Sequence, residues 1–195
     1  MARIHTDAVS PVVGVMLMLV VTIIIAAIVS AFAGGISTST TKAPNVQIAA
    51  HYSQSQGMWF ENDGPDDIST VSTNVYVRLS DSFGGAEHQV WAVNKTYISN
   101  SSSITNPGDG SGSGSYNTWL TAAGMTGVKT FRVGERAYIL PPYHNSTYLQ
   151  QGTGTSATSP TYAFNNTVNL GNSFWLELTD KNGKIFSRTK VKIEA

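Results

Sequence analysis

Between Val9 and Thr41 the chain has no charged residue, and inside that stretch lies an apolar run, VVGVMLMLVVTIIIAAIVSAFA, from Val12 to Ala33. As a helix, about 22 residues span roughly 33 Å, the thickness of a bilayer's hydrocarbon core. The run is apolar on every side, so no face of such a helix is suited to water. Pro11 fits the first helical turn, where its missing N–H has no intrahelical partner. Small residues recur at four-residue spacing, Ala26 with Ser30 and Ala27 with Ala31, which lets helix backbones approach closely. Gly34-Gly35 ends the run, and Ser37-Thr38-Ser39-Thr40-Thr41 follows, the composition of a hinge or linker.

Two ordinary readings compete for such a start. A secretory signal has a shorter apolar region, about 7–15 residues, although Ala31-Phe32-Ala33 has the form of a cleavage site. A plain membrane anchor has the same helix chemistry. Its orientation signal is weak, because the arm before it holds only Arg3, His5, Asp7 and the terminal amine.

A third reading comes from the residues at the junction. Asp7-Ala8-Val9-Ser10 places a charged residue and a small residue directly before the apolar helix. Val9-Ser10-Pro11-Val12-Val13-Gly14-Val15 then opens the helix itself. This start resembles that of the archaeal type IV pilins, of the adhesion type, with their class III signal peptides. The resemblance covers about the first 35 residues. It implies cleavage between Ala8 and Val9 by a prepilin peptidase on the cytoplasmic side. It further implies extraction of the helix from the membrane by a pilus-assembly ATPase and a polytopic platform, into a fibre of identical subunits. Bacterial type IV pilins carry Glu at the fifth mature position; here that position is Val13, so a Glu-to-amine register between subunits is not available. The start also does not resemble an archaellin.

On this reading the chain divides into a leader (1–8), a membrane and filament-core helix (9–35), a hinge linker (36–45) and a head (46–195). Val12, Val13, Met16, Leu19, Val20, Ile23, Ile24 and Ala27 are the candidate core residues of the fibre, and Gly34 and Gly35 the candidate hinge. The precursor is expected in the cytoplasmic membrane and the mature protein in an extracellular filament, a homopolymer serving surface adhesion. The alternative is a monomeric, single-pass anchored domain that binds a glycan or a solute outside the cell.

A head of about 150 residues can bury a core of its own. The chain has no cysteine, which excludes disulfides, thiolate metal sites and cysteine nucleophiles. Charged residues make up 12% and the formal net charge is zero, so there is no basic footprint for nucleic acid. Ser, Thr, Asn and Gly replace the missing charges, and the chain contains four N-glycosylation sequons, at Asn94, Asn100, Asn145 and Asn165.

After Lys42 the patterning is that of strands. Candidates are Val46–Ser53, the alternating Val75–Leu79, Gln89–Ile98, and Lys129–Val133 and Arg136–Leu140 around a Gly134-Glu135 turn. Phe174–Leu178 and Lys184–Ile193 flank Asp180-Lys181-Asn182-Gly183, a hairpin signal. The expected class is α+β, a long N-terminal helix followed by an all-β, sandwich-like head of six to eight strands. Ser99–Tyr116 and Tyr148–Thr161 read as long surface loops on the outside of a fibre.

Chemistry-bearing motifs are sparse. His5, His51, His88 and His144 have no ligand spacing. The acidic stretch from Glu61 to Asp67 has oxygen ligands for Ca²⁺ but not the EF-hand spacing. There is no G-x-S-x-G, P-loop or G-x-G-x-x-G. No enzyme activity, metal or cofactor is expected. If Phe174, Leu176 and Leu178 face the core, Trp175 faces out, where it can meet a neighbouring subunit or a sugar ring. The basic residues of the last hairpin, Lys181, Lys184, Arg188, Lys190 and Lys192, read either as a solvated sheet edge or as a subunit contact.

Overall fold

The computed structural model describes residues 11–35, 44–102, 117–121, 123–151 and 161–195. The chain divides into two compact units, Met1–Lys42 and Ala43–Ala195.

The described part of the first unit is one helix, α1 (Pro11–Gly35), with no acidic residue in its first turn and no basic residue in its last. Gly34 and Gly35 are its final residues. Every described side chain from Pro11 to Phe32 is exposed. The mean hydropathy of 3.2 over Pro11–Phe32 makes the helix long and apolar enough to cross a membrane. The mid-helix hydroxyl of Thr22 donates to the Leu19 carbonyl at 2.8 Å, so it is satisfied inside the helix and imposes no demand on the surroundings.

The second unit is the β-rich head. Its strands are β1 (Ile48–Ser53), β2 (Gly57–Asn62), β3 (Ile68–Ser69), β4 (Thr73–Leu79), β5 (Val90–Ala92), β6 (Thr130–Phe131), β7 (Arg136–Ile139), β8 (Ser173–Asp180) and β9 (Ile185–Glu194). A single-turn helix, α2 (Ser146–Leu149), and three 3-10 turns complete the described elements. The main sheet has seven strands in the order β5-β4-β8-β9-β1-β2-β7, and β3 pairs with β6 separately. All pairs are antiparallel except β1 with β9, which run parallel at Tyr52–Ile193 and Ser53–Glu194.

The sheet curls, and the chain itself requires it. The amide of Val93 bonds to β4 at Val75, and six residues later Ser99 exchanges hydrogen bonds with Tyr138 on β7. In a flat sheet those positions would lie about seven strand spacings, roughly 34 Å, apart. Six extended residues reach only about 21 Å, so the two ends of the sheet must approach each other.

Core-facing residues alternate along the central strands: Val75, Val77 and Leu79 on β4, and Phe174, Leu176 and Leu178 on β8. On β2 and β7, Met58, Phe60, Ala137 and Ile139 continue the same core. Its second layer is β3–β6 with coil, which contributes Ile68, Phe131, Ile98, Trp119, Leu149 and Phe164. Phe60 meets Trp119 and Phe131 edge-on, and Phe164 stacks on Phe174 at 4.3 Å.

Four details depart from the expectations. Gln89–Ile98 is not one strand: Asn94 caps a 3-10 turn over Lys95–Tyr97, so pairing stops after Ala92. Residues 129–133 and 136–140 do flank a turn at Gly134 (φ +76), but β6 pairs with β3 and β7 with β2, so they form no hairpin with each other. The basic strand β9 is not a sheet edge, since it lies between β8 and β1. The strand β2 was not foreseen. The expected last hairpin is present, with Gly183 at φ +82 and Asp180 and Lys184 closing the turn. Ser99 belongs to the sheet closure rather than to a loop, and residues 103–116 and 152–160 lie outside the described residues.

Candidate functional site

The first candidate surface is α1. The eight side chains read as fibre core, Val12, Val13, Met16, Leu19, Val20, Ile23, Ile24 and Ala27, all lie on it and all are exposed. At 3.6 residues per turn they fall on one broad face of the helix, the rest of the described helix is apolar as well, and the surface has no charged atom to pair with. Ala8 and Val9, the expected cleavage junction, lie outside the described residues.

Three carboxylates of the acidic stretch from Glu61 to Asp67 are engaged by other parts of the head. Asp66 Oδ2 accepts the Asn45 amide at 2.8 Å, and Asp67 Oδ1 accepts the Val133 amide at 3.1 Å. Glu61 pairs with Arg136 across β2 and β7. The buried Asn62 turns the loop, donating to the Asp66 carbonyl and accepting the Gly64 amide. These three carboxylates thus diverge to separate partners. Among the described residues no three of His, Cys, Asp or Glu converge in a way that could hold a metal. The loop instead clamps the segment that enters the head. A Cβ on Gly64 would lie 2.6 Å from the Gln47 amide nitrogen and 2.7 Å from the Val46 Cα.

The sequon asparagines differ in what holds them. Asn94 and Asn145 accept backbone amides through Oδ1 and cap short helical turns, leaving Nδ2 without a hydrogen bond among the described residues. Asn165 Oδ1 accepts the Ser146 hydroxyl at 2.6 Å. Asn100 is engaged at both ends, its Oδ1 by Trp119 Nε1 at 3.1 Å and its Nδ2 by Glu135 at 3.3 Å. Between Asn94 and Thr96, Lys95 extends its ammonium to the carbonyls of Thr70, Val71 and Thr73. Burial holds its pKa below the usual lysine value.

The outward face of β4, β8 and β9 concentrates the charges of the head. Trp175 does face out, as the alternation requires, opposite Arg78 and Lys190. Its ring is covered: the Arg188 guanidinium lies 4.1 Å from the ring centroid, and the Lys190 ammonium 5.6 Å. Lys190 also bonds Asp81 at 3.1 Å, and that contact holds the Asp81 carboxyl below the usual carboxylate range. Next to Trp175 on the same face, the buried Glu177 is held by Arg78 Nε at 2.9 Å and Arg188 Nε at 3.2 Å. A second outward row, on β1, β2 and β7, stacks His51 on Trp59 at 5.7 Å with Arg136 over the same indole. Sequence reading singled out Trp175 and the basic hairpin but missed Arg78, Glu177 and Thr179. Their only signal is β periodicity, and which residues meet across strands depends on register.

Comparison with known proteins bears on the first unit. Residues 7–48 match the family described as archaeal type IV pilin, N-terminal. The start of the chain is thus similar to the N-terminal domain of archaeal type IV pilins, in agreement with the resemblance read from Asp7 to Val15. Residues 49–195 lie outside the match. No curated protein and no solved structure matches the chain.

Proposed function

We propose that this chain is the structural subunit of an archaeal adhesion-type pilus, polymerising through α1 into an extracellular filament. The observation that carries the reading is the coincidence of the pilin match over residues 7–48 with a helix apolar on every side. A prepilin peptidase removes residues 1–8, and the precursor waits in the cytoplasmic membrane until an assembly ATPase and membrane platform extract it. In the fibre, α1 packs on copies of itself, led by Val12, Val13, Met16, Leu19, Val20, Ile23, Ile24 and Ala27. Burial from water is worth about 25 cal/mol per Å² of apolar surface. Lipid already supplies most of that gain, which is why extraction consumes energy. Head contacts that do not close on themselves give a filament rather than a ring. Gly34 and Gly35, at the end of α1, are the hinge and residues 36–45 the linker, and Asn94 and Asn145 are the sequons best placed to carry glycans.

The test is mass spectrometry of the N-terminus on sheared cell-surface material. A chain beginning at Val9 in the filament fraction is the expected result. A chain that keeps residues 1–8 and stays in the membrane pellet overturns the reading in favour of an anchored binding domain.

A further inference from the structure

Two of the four sequons share a construction that the other two lack. Asn94-Lys95-Thr96-Tyr97 and Asn145-Ser146-Thr147-Tyr148 each place a tyrosine directly after the sequon, whereas Asn100 has Ser103 at that position and Asn165 has Val168. In both, the asparagine Oδ1 accepts the amide two residues on, at 3.0 Å, and so caps a short helical turn. An asparagine and a tyrosine three residues apart on such a turn lie on the same side of it. Both asparagines are partly exposed, and neither Nδ2 has a hydrogen bond among the described residues. One turn follows β5 and the other follows β7, yet their tyrosines meet: Tyr97 and Tyr148 pack edge-on at 5.0 Å. Tyr143 completes the cluster, stacked on Tyr97 at 4.6 Å and edge-on to Tyr148 at 4.9 Å.

All three rings are partly exposed, and none of their hydroxyls has a hydrogen bond among the described residues. Burial, with Tyr148 and Tyr143 beside it, holds the Tyr97 phenol above the usual tyrosine pKa, so it stays a neutral donor. A glycan attached at Nδ2 of Asn94 or Asn145 begins beside the tyrosine of its own turn. A sugar ring has an apolar C–H face and a rim of hydroxyls; tyrosine has an apolar body and a polar tip. The C–H face can lie on an aromatic ring while rim hydroxyls meet the phenols, and no charge has to be desolvated between them. We propose that Tyr97, Tyr143 and Tyr148 form a shared platform on which the innermost sugars of N-linked glycans at Asn94 and Asn145 pack, tying the two glycosylated turns together. The proposal rests on the reading that these two sequons carry glycans, and it adds what holds those glycans against the head.

A mutant cycle on the full chain from its native cells, in detergent micelles, tests it through the thermal midpoint. Thr147→Val deletes the Asn145 sequon, keeps the capping amide, and removes a buried hydroxyl that has no partner among the described residues. It should lower the midpoint of the glycoprotein by about 2–4 °C and leave that of Tyr148→Leu unchanged. Made without glycosylation, Thr147→Val should lower no midpoint. Thr96→Val deletes the Asn94 sequon and is read against the same unglycosylated baseline, because its hydroxyl also bonds Asn94 Oδ1. Equal losses with and without Tyr148, or with and without glycan, overturn the platform. Proton–carbon NMR of the parent glycoprotein supplies a readout that does not depend on a variant folding. Sugar C–H protons at Asn94 and Asn145 should be shifted upfield by the ring currents of the tyrosines, and the shift should be lost in Tyr148→Leu. Glycans present at both sites with ordinary sugar shifts overturn the platform and leave the glycosylation reading standing. Glycopeptide mapping that finds one of the two asparagines unmodified overturns the shared platform; both unmodified overturns the glycosylation reading as well.

Discussion

Arg78 meets Glu177 through a double contact across β4 and β8, Nε to Oε1 at 2.9 Å and Nη2 to Oε2 at 3.3 Å. The carboxylate side chain is 3% exposed, whereas the two arginines that hold it are 33% and 43% exposed. The desolvation burden therefore falls on Glu177. Removing it leaves two guanidiniums side by side at the same spot. Replacement by leucine should destabilise the head by about 2 kcal/mol, less than the ~3–5 kcal/mol of a fully buried broken pair, because water screens the arginines. Adding Arg78→Met to Glu177→Leu should recover much of that loss. Urea unfolding of the four members of this cycle checks both statements; additive losses would mean that the pair is not coupled.

Gly64 sits against the backbone of Val46 and Gln47 as the chain enters the head. The neighbours are main-chain atoms, which cannot rotate away as a side chain can. Gly64→Ala should therefore cost about 2–3 kcal/mol. It should also loosen the clamp formed by Asp66 on the Asn45 amide. Amide exchange at Asn45 and Asp63, faster in the variant than in the parent, is the signature to look for.

His144 is buried, its Nε2 is 2.8 Å from the Gln54 carbonyl, and its Nδ1 has no partner among the described residues. Nε2 must donate to that carbonyl, so the neutral ring leaves Nδ1 bare. Burial holds the pKa below the ordinary histidine value, with the Gln54 bond opposing. The unfolded chain takes up its proton near pH 6.5 and the folded head only at lower pH. The stability due to neutral His144 is thus whole above about pH 6.5 and declines as pH falls below it. Thermal midpoints between pH 8 and 5 should drop, and the drop should be shallower in His144→Phe. Parallel curves for the two proteins would remove His144 from the account.

Asn100 has its amide oxygen bonded by Trp119 and its amide nitrogen by Glu135. Attaching a sugar at Nδ2 would displace the second bond at the lip of the core. Glycopeptide mapping of protein from its native cells should find Asn94 and Asn145 occupied more often than Asn100. Higher occupancy at Asn100 would falsify this ranking.

Val20 and Ile24 lie midway along α1, where the nearest charges in sequence are Asp7 and Lys42. Asp in place of Val20, or Lys in place of Ile24, would put a charge where copies of the helix offer no partner. Fibre yield in sheared material should fall to nothing while the head, with its separate core, keeps its thermal transition. Normal fibres from either variant would rule out a core built on α1.

Much of this protein was readable along the chain. The helix needs only a count of consecutive apolar residues, and its ends are marked by Pro11 and Gly34-Gly35. The last hairpin needs only alternation around Asp180-Lys181-Asn182-Gly183. The break in Gln89–Ile98 was missed because Asn94 caps a turn through a local side-chain bond that outweighs the strand pattern around it. The basic strand β9 looked like an edge because charge alternates along it, yet a strand can expose one face and still be paired on both sides.

By itself, the sequence determined what depends on neighbours in the chain: an apolar span that water cannot accommodate, a start similar to that of archaeal type IV pilins, and the two-residue period of a β-rich head. Tertiary structure alone decided what depends on register and closure. It brought Ser99 beside Tyr138, set Glu61, Asp66 and Asp67 on separate partners, and placed Glu177 between Arg78 and Arg188. Those contacts join residues from 11 to about a hundred positions apart, and a shift of one residue in any strand pairing would send the same side chains to the opposite face of the sheet.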